Sequence, residues 1–158
     1  MVDASPVTRS SLRRVLPIMA PRPMVALPAR TWSGEQWERI GLGYRSRDMD
    51  EKWNVFVEDR VVFAHRSWTG RGVYEASFEP VTGGWRIAAG VVESDPSRHR
   101  STSDDWERVM LELVLSAIVL GEPATELRAE LVALTAQKAG RTDLEAGVFL
   151  HSNLGLRS

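Results

Sequence analysis

Four stretches of the chain alternate apolar and polar residues with the period of two that an extended strand requires. Across 52–58, Trp53, Val55 and Val57 fall on one side, and 61–67 repeats the pattern after Asp59-Arg60, which reads as a two-residue hairpin turn. The stretches 72–79 and 85–93 follow, joined by Thr82-Gly83-Gly84. Four antiparallel strands in meander order is the simplest topology. Helical spacing appears on either side of them. Ser33 and Gln36 have the spacing of a capping box, so a short helix is expected over 34–43, with Trp37, Ile40 and Leu42 turned inward and Gly41 and Gly43 ending it. A second helix is expected over 105–120, capped by Ser103 or Asp104, with its strongest stripe at Trp106, Val109, Met110, Leu113, Ala117 and Ile118. Gly121-Glu122-Pro123 stops it, and Pro123 suits the first turn of a third helix over 124–138, amphipathic through Leu127, Leu131 and Leu134. Past 140 the pattern weakens, and Val148-Phe149-Leu150 fits a short strand or a docked turn. The expected fold is α+β, an antiparallel meander of about four strands with helices on one face.

Residues 1–29 read differently. Pro6, Pro17, Pro21, Pro23 and Pro28 interrupt any long element, and Arg9, Arg13, Arg14 and Arg22 make the stretch basic, so a flexible extension is expected, with a single folded domain over 30–158. Val15-Leu16-Pro17-Ile18-Met19 is too short and broken for a secretory signal, and Met19 and Met24 offer later starts. Composition sharpens this modestly. With 158 residues and 43% hydrophobic content the chain can bury one substantial core. It has no cysteine, which excludes disulfides and thiolate chemistry and suits a reducing, cytoplasmic setting. The net charge of −1 gives no reason to expect nucleic acid as a partner, and no apolar run reaches membrane-span length. Nearly every basic residue is arginine; Lys52 and Lys138 are the exceptions, and Lys52 falls in the segment richest in chemistry.

That segment is Met49-Asp50-Glu51-Lys52-Trp53, and its counterpart is His65-Arg66-Ser67-Trp68-Thr69-Gly70. With Asp59 and Arg60 as the turn, Glu58 faces Val61, Phe56 faces Phe63, Asn54 faces His65 and Lys52 faces Ser67. Lys52, Asn54, His65 and Ser67 then share one end of one face, while Arg66 lies beside Trp53 on the other as a cation–π pair. The loop Trp68-Thr69-Gly70-Arg71-Gly72 adds a ring, a hydroxyl, a guanidinium and backbone amides able to cradle an anion. Together Lys52, Trp53, Asn54, His65, Arg66, Ser67, Trp68, Thr69, Gly70 and Arg71 suit an anionic, nucleotide-like small molecule. The plainer reading is a Gly-rich hairpin loop in which Arg66 pairs with Asp50 or Glu51. A Ser67–His65 nucleophilic couple is disfavoured, because same-face neighbours on a strand lie roughly 6.6–7 Å apart. His65, His99 and His151 are far apart in sequence and form no metal-binding pattern, and no cofactor-binding motif is present. Of the six tryptophans, Trp37, Trp53, Trp85 and Trp106 fit buried stripes, which leaves Trp32 and Trp68 for the surface.

The run Arg47–Trp53 (RDMDEKW), the run His65–Gly70 (HRSWTG) and the following Val73–Phe78 (VYEASF) resemble a bacterial family without an assigned catalytic activity, found free-standing or alongside ADP-ribosylglycohydrolase-like proteins. The resemblance spans about 30–134 and implies ADP-ribose, NAD-derived or other nucleotide-like ligands. Three functions are therefore carried forward. The first is a small binding domain for such a ligand. The second is a small hydrolase with His65 as acid/base, aided by Asp50 or Glu51, and Lys52 stabilising developing charge. The third is a protein-interaction, antitoxin-like or homodimeric module anchored by exposed aromatics.

Overall fold

The computed structural model describes residues 5–100 and 103–139. In chain order the elements are β1 (Pro21–Pro23), α1 (Gly34–Gly41), β2 (Trp53–Glu58), β3 (Val61–Arg66), β4 (Gly72–Val81), β5 (Gly84–Glu93), α2 (Asp104–Leu113) and α3 (Thr125–Ala139). The α+β class stands, with five strands among the described residues in the order β1-β5-β4-β3-β2, all antiparallel. The meander β2 to β5 is the expected one, and β2 pairs with β3 in the expected register, Trp53 opposite Arg66 and Glu58 opposite Val61. Asp59 and Arg60 make the turn at φ 50° and 68°, the paired left-handed conformation of a type I′ hairpin.

The extra strand corrects the reading of the N-terminal stretch. Val7, Leu16, Ala20 and Met24 hydrogen-bond through their backbone to the folded domain. Pro21 and Pro23 sit opposite Glu93 and Val91 at the sheet edge. Ala20 accepts from the Ser94 N–H and Met24 donates to Gly90, so the bonded positions are the even ones and the prolines fall where an N–H would point away from β5. The carboxylate of Glu93, itself only 1% exposed, accepts the backbone N–H groups of Met19 and Ala20. Further back, the Arg9 guanidinium lies 4.9 and 5.1 Å from the rings of Phe56 and Phe63 and pairs with Glu58 at 2.9 Å.

The two faces of the sheet are thus covered differently. Val55, Ala64, Tyr74 and Val92 form one row across β2, β3, β4 and β5, and they share a buried core with Val109, Leu113 and Leu115 of the α2 region and Leu131 of α3. The opposite row, Phe56, Phe63, Glu75 and Val91, belongs to the face over which Arg9 lies.

Local signals mostly act as expected. Ser33 and Gln36 form the reciprocal capping box of α1, and Ser103 caps α2 by accepting from Trp106 N–H. Four details differ. Leu42 is 42% exposed rather than inward, because α1 ends at Gly41. Trp32 is fully buried, not at the surface, since its backbone pairs with Trp85 in a bridge on β5 and Arg30 lies 5.2 Å from its ring. The expected helix 105–120 widens into a π-helix over Val114–Val119, with Leu120 N–H bonding to Leu115. Pro123 precedes α3 instead of opening it, separated from Thr125 by Ala124 at φ 49°. Val148-Phe149-Leu150 and His151 lie outside the described residues. No described helix is long and apolar enough to cross a membrane.

Candidate functional site

The end of β3 is where the sheet is re-aimed. Ala64 pairs with Tyr74 but His65 pairs with Gly72, so Val73 is an extra residue and the ladder carries a bulge just before Arg66. Beyond it the loop 67–71 closes on itself: Gly70 N–H bonds to the Arg66 carbonyl, and Arg66 N–H to the Arg71 carbonyl. Gly70 holds φ 75°, and a Cβ there would lie 2.6 Å from the Arg14 carbonyl oxygen, so only glycine fits under the N-terminal segment. Ser67 ties the loop to the start of β2, with its N–H on the Lys52 carbonyl and its hydroxyl donating to the Glu51 carbonyl at 2.7 Å.

This geometry opens a cleft of about 270 Å³ bounded by Lys52, Arg66, Ser67, Trp68, Thr69, Arg71 and Arg98. Trp68 is its rim: the ring is 59% exposed, its indole N–H donates to the Met49 carbonyl at 2.9 Å, and Lys52 Nζ stands 4.8 Å from its centroid. Arg66 stacks on Trp53 at 4.8 Å, as expected from the register. Burial pulls the Arg66 guanidinium below its ordinary pKa, opposed by the Tyr74 hydroxyl nearby. A second chamber of about 180 Å³ adjoins, sharing Arg66 and Arg98 and adding Trp53, His99, Arg100, Trp106 and Met110. Among the described residues neither chamber is lined by a carboxylate, whereas Lys52, Arg66, Arg71, Arg98 and Arg100 all contribute cations. Two buried donors of these lining residues, Arg98 Nη1 and Trp53 Nε1, have no acceptor among the described residues.

Of the expected site residues, Lys52, Arg66, Ser67, Trp68, Thr69 and Arg71 meet in the outer chamber, Trp53 lines the inner one, and Gly70 shapes the loop. Asn54 and His65 do not join them. Alternation puts both on the other face, where Asn54 Oδ1 accepts from Ser46 N–H and buried His65 bonds through Nδ1 to the Gly70 carbonyl. Burial lowers the His65 pKa, the Gly70 bond opposing it and Arg9 adding to it. Asp50 and Glu51 line neither chamber. Glu51 faces the opposite way, bound by Arg47 and by the Tyr44 hydroxyl. Burial would raise its pKa, but the bonds from Arg47 and Tyr44 outweigh this and hold it below the usual carboxylate range; Tyr44 in turn is pushed up to about 12 by burial and by Glu51. His65 bonds to the Gly70 carbonyl and Glu51 to Arg47 and Tyr44, so His65 and Glu51 are not joined as a hydrolytic couple.

The site also holds residues that sequence reading passed over. Arg98-His99-Arg100 follows β5 in a turn built by Asp95, whose carboxylate accepts from Ser97 and whose carbonyl accepts from Arg98 and His99 N–H. His99 Nε2 bonds to Glu107 at 2.8 Å, and Tyr74 donates its hydroxyl to the same carboxylate at 2.6 Å. Burial, then the Glu107 charge, lifts the Tyr74 hydroxyl well above its ordinary pKa and keeps it a donor. The available signal was the basic tripeptide itself, three cation-capable residues in a row after a strand. No group of three His, Asp or Glu side chains among the described residues could hold a metal ion. The chain matches no protein-family model, no curated protein and no solved structure.

Proposed function

We propose that this protein binds an anionic, nucleotide-like small molecule of the cytoplasm in the cleft between the loop 67–71 and the loop 94–100. The carrying observation is the lining: cations from both loops and from the start of β2, with no carboxylate among the described residues that line it. Such a surface concentrates negative charge, and partial burial weakens the screening that salt imposes on exposed charges. Arg66, Arg71 and Arg98 supply the charge. Trp68, at the rim and more than half exposed, supplies a face for a planar base. The resemblance to modules found beside ADP-ribosylglycohydrolase-like proteins adds ADP-ribose and NAD to the ligands worth testing.

A thermal-shift series with ADP-ribose, NAD, nucleoside phosphates and inorganic phosphate tests this reading. A ligand at a hundred times its Kd adds about 2.7 kcal/mol. For a chain of this size that raises Tm by roughly 5–10 °C. The expected shift disappears in Arg98→Ala and shrinks in Trp68→Ala, both still folded. A blank series, or a shift that survives both substitutions unchanged, overturns the reading. Concentration-dependent sedimentation alongside a blank series would transfer the weight to Met49 and Trp68, 69% and 59% exposed, as anchors for a protein partner.

A further inference from the structure

We infer that the inner chamber is a subsite for one terminal phosphoryl group, so that the preferred ligand carries a phosphomonoester at its end. This rests on the cleft being a ligand site and adds what the deeper half selects.

Size comes first. At about 180 Å³ the chamber is well under the ~300 Å³ where pockets for whole drug-sized molecules begin, so it takes an end group. Donor count comes second. Arg98 and Arg100, together with Arg66, line a single small space, with His99 beside them. A carboxylate offers two oxygens to such a set; a phosphomonoester offers three terminal oxygens and a charge of about −1.5 to −2 near neutral pH. Guanidiniums match those oxygens two at a time. The third consideration is the unsatisfied pair. Trp53 is 1% exposed and its Nε1 has no acceptor among the described residues; the buried Nη1 of Arg98 has none there either. Buried donors without acceptors are rare and costly, and both belong to residues that wall the chamber.

One carboxylate stands close, and its bonding explains why it does not oppose an anion. Glu107, 1% exposed, receives His99 Nε2 at 2.8 Å and the Tyr74 hydroxyl at 2.6 Å, and it is not among the lining residues. Its role is to hold the His99 ring against the chamber. The outer chamber, with Lys52, Arg71 and the Trp68 face, then receives the rest of the molecule. An internal diphosphate, as in ADP-ribose or NAD, cannot put a terminal group into the inner chamber, so a nucleoside monophosphate is the better ligand.

The test follows the indole N–H signals in a proton–nitrogen correlation spectrum of the full chain, with Trp53 and Trp68 assigned from Trp53→Phe and Trp68→Ala. Inorganic phosphate is expected to shift the Trp53 signal saturably, in wild type and in Trp68→Ala alike, and to lose at least tenfold in affinity in Arg98→Ala. Arg100→Ala, at an exposed position, is expected to weaken phosphate comparably and serves if Arg98→Ala is unfolded. Adenosine monophosphate should bind at least tenfold tighter than adenosine, an advantage lost in Arg100→Ala. A Trp53 signal that stays put while adenosine or ADP-ribose moves Trp68 overturns the phosphoryl subsite and leaves the outer cleft standing. Silence of both signals with every probe removes both readings. A non-saturating drift identical in wild type and Arg100→Ala marks an adventitious ion only and overturns the subsite.

Discussion

At the residue scale, two side chains two positions either side of the β3 exit carry opposite roles. Trp68 touches little of the core, so Trp68→Ala should leave Tm nearly unchanged, within the ~0.5 kcal/mol typical of surface positions. Stacking of a base on an aromatic face contributes ~1–3 kcal/mol, so the same substitution should cost about tenfold or more in affinity for a nucleotide-type ligand, read by calorimetry. His65 is the reverse case, buried and structural. Its pKa is lowered from the ordinary imidazole value of 6.5, chiefly by burial. Below that pH the unfolded chain takes up a proton before the folded one does, so stability falls as pH drops from 6.5 toward the folded value and is fully present above it. Denaturant melts at pH 7.5 and 5.5 should show this loss, and His65→Gln should reduce the difference between them. A difference that His65→Gln leaves intact would place the titration elsewhere. Both roles follow from alternation: Arg66, between them, faces Trp53 because His65 does not.

At the element scale the hairpin turns are the informative units. Asp59 and Arg60 both sit at positive φ without being glycine, a conformation costing roughly 1–2 kcal/mol per ordinary residue. Arg60 recovers part of this through its guanidinium, 5.3 Å from the Trp85 ring, an exposed contact of about 0.5–1 kcal/mol. Arg60→Gly should therefore stabilise by a net ~0.5–1 kcal/mol, visible as a Tm rise of about 1–4 °C. Gly84 behaves oppositely. It holds φ 152°, and an added Cβ would stand 2.0 Å from the Trp32 carbonyl oxygen. Gly84→Ala should break the Trp32–Trp85 bridge and destabilise by about 3 kcal/mol or more in urea melts, the range in which backbone strain and core disruption combine. The strands of the meander were legible because their alternation is local. The edge strand β1 was not, because Pro21 and Pro23 oppose an element everywhere except at the outward positions of an edge, and only the neighbouring β5 defines which positions those are.

For the whole molecule, the N-terminal segment couples the sheet edge to the candidate site. Leu16 N–H bonds to the Gly70 carbonyl and Gly72 N–H to the Leu16 carbonyl, so the loop bearing Trp68 and Arg71 is pinned by residues more than fifty positions earlier. Glu93 pins the same segment again. Burial would raise its pKa, but backbone N–H groups of Met19, Asp95 and Ala20 outweigh this and hold it below the ordinary carboxylate value. A chain beginning at Met24 loses both anchors and leaves Glu93 buried with fewer donors, a penalty of ~1–3 kcal/mol by itself. Its Tm should fall by about 5 °C or more. Amide exchange at Gly70 and Gly72 should accelerate, and affinity for nucleoside monophosphate should drop. An unchanged Tm with unchanged exchange in the loop would show that the segment carries neither stability nor site geometry.

What the amino-acid order determined by itself was short-range: the α+β class, the four-strand meander, the Asp59-Arg60 turn with its register, the Ser33 and Ser103 caps, and with that register the stacking of Arg66 on Trp53. Each depends on residues a few positions apart, where period and turn chemistry act directly. Tertiary structure alone decided which of the chemically rich residues share a space. It sent Asn54, His65 and Glu51 away from the cleft and brought in Arg98, His99 and Arg100 from the end of another strand. It also turned a proline-rich stretch into an edge strand and a clamp. The physical reason is that a cleft is made by loops from different strands meeting at one sheet end, and that meeting is set by pairing and packing over long separations, of which a residue's own neighbours carry no trace.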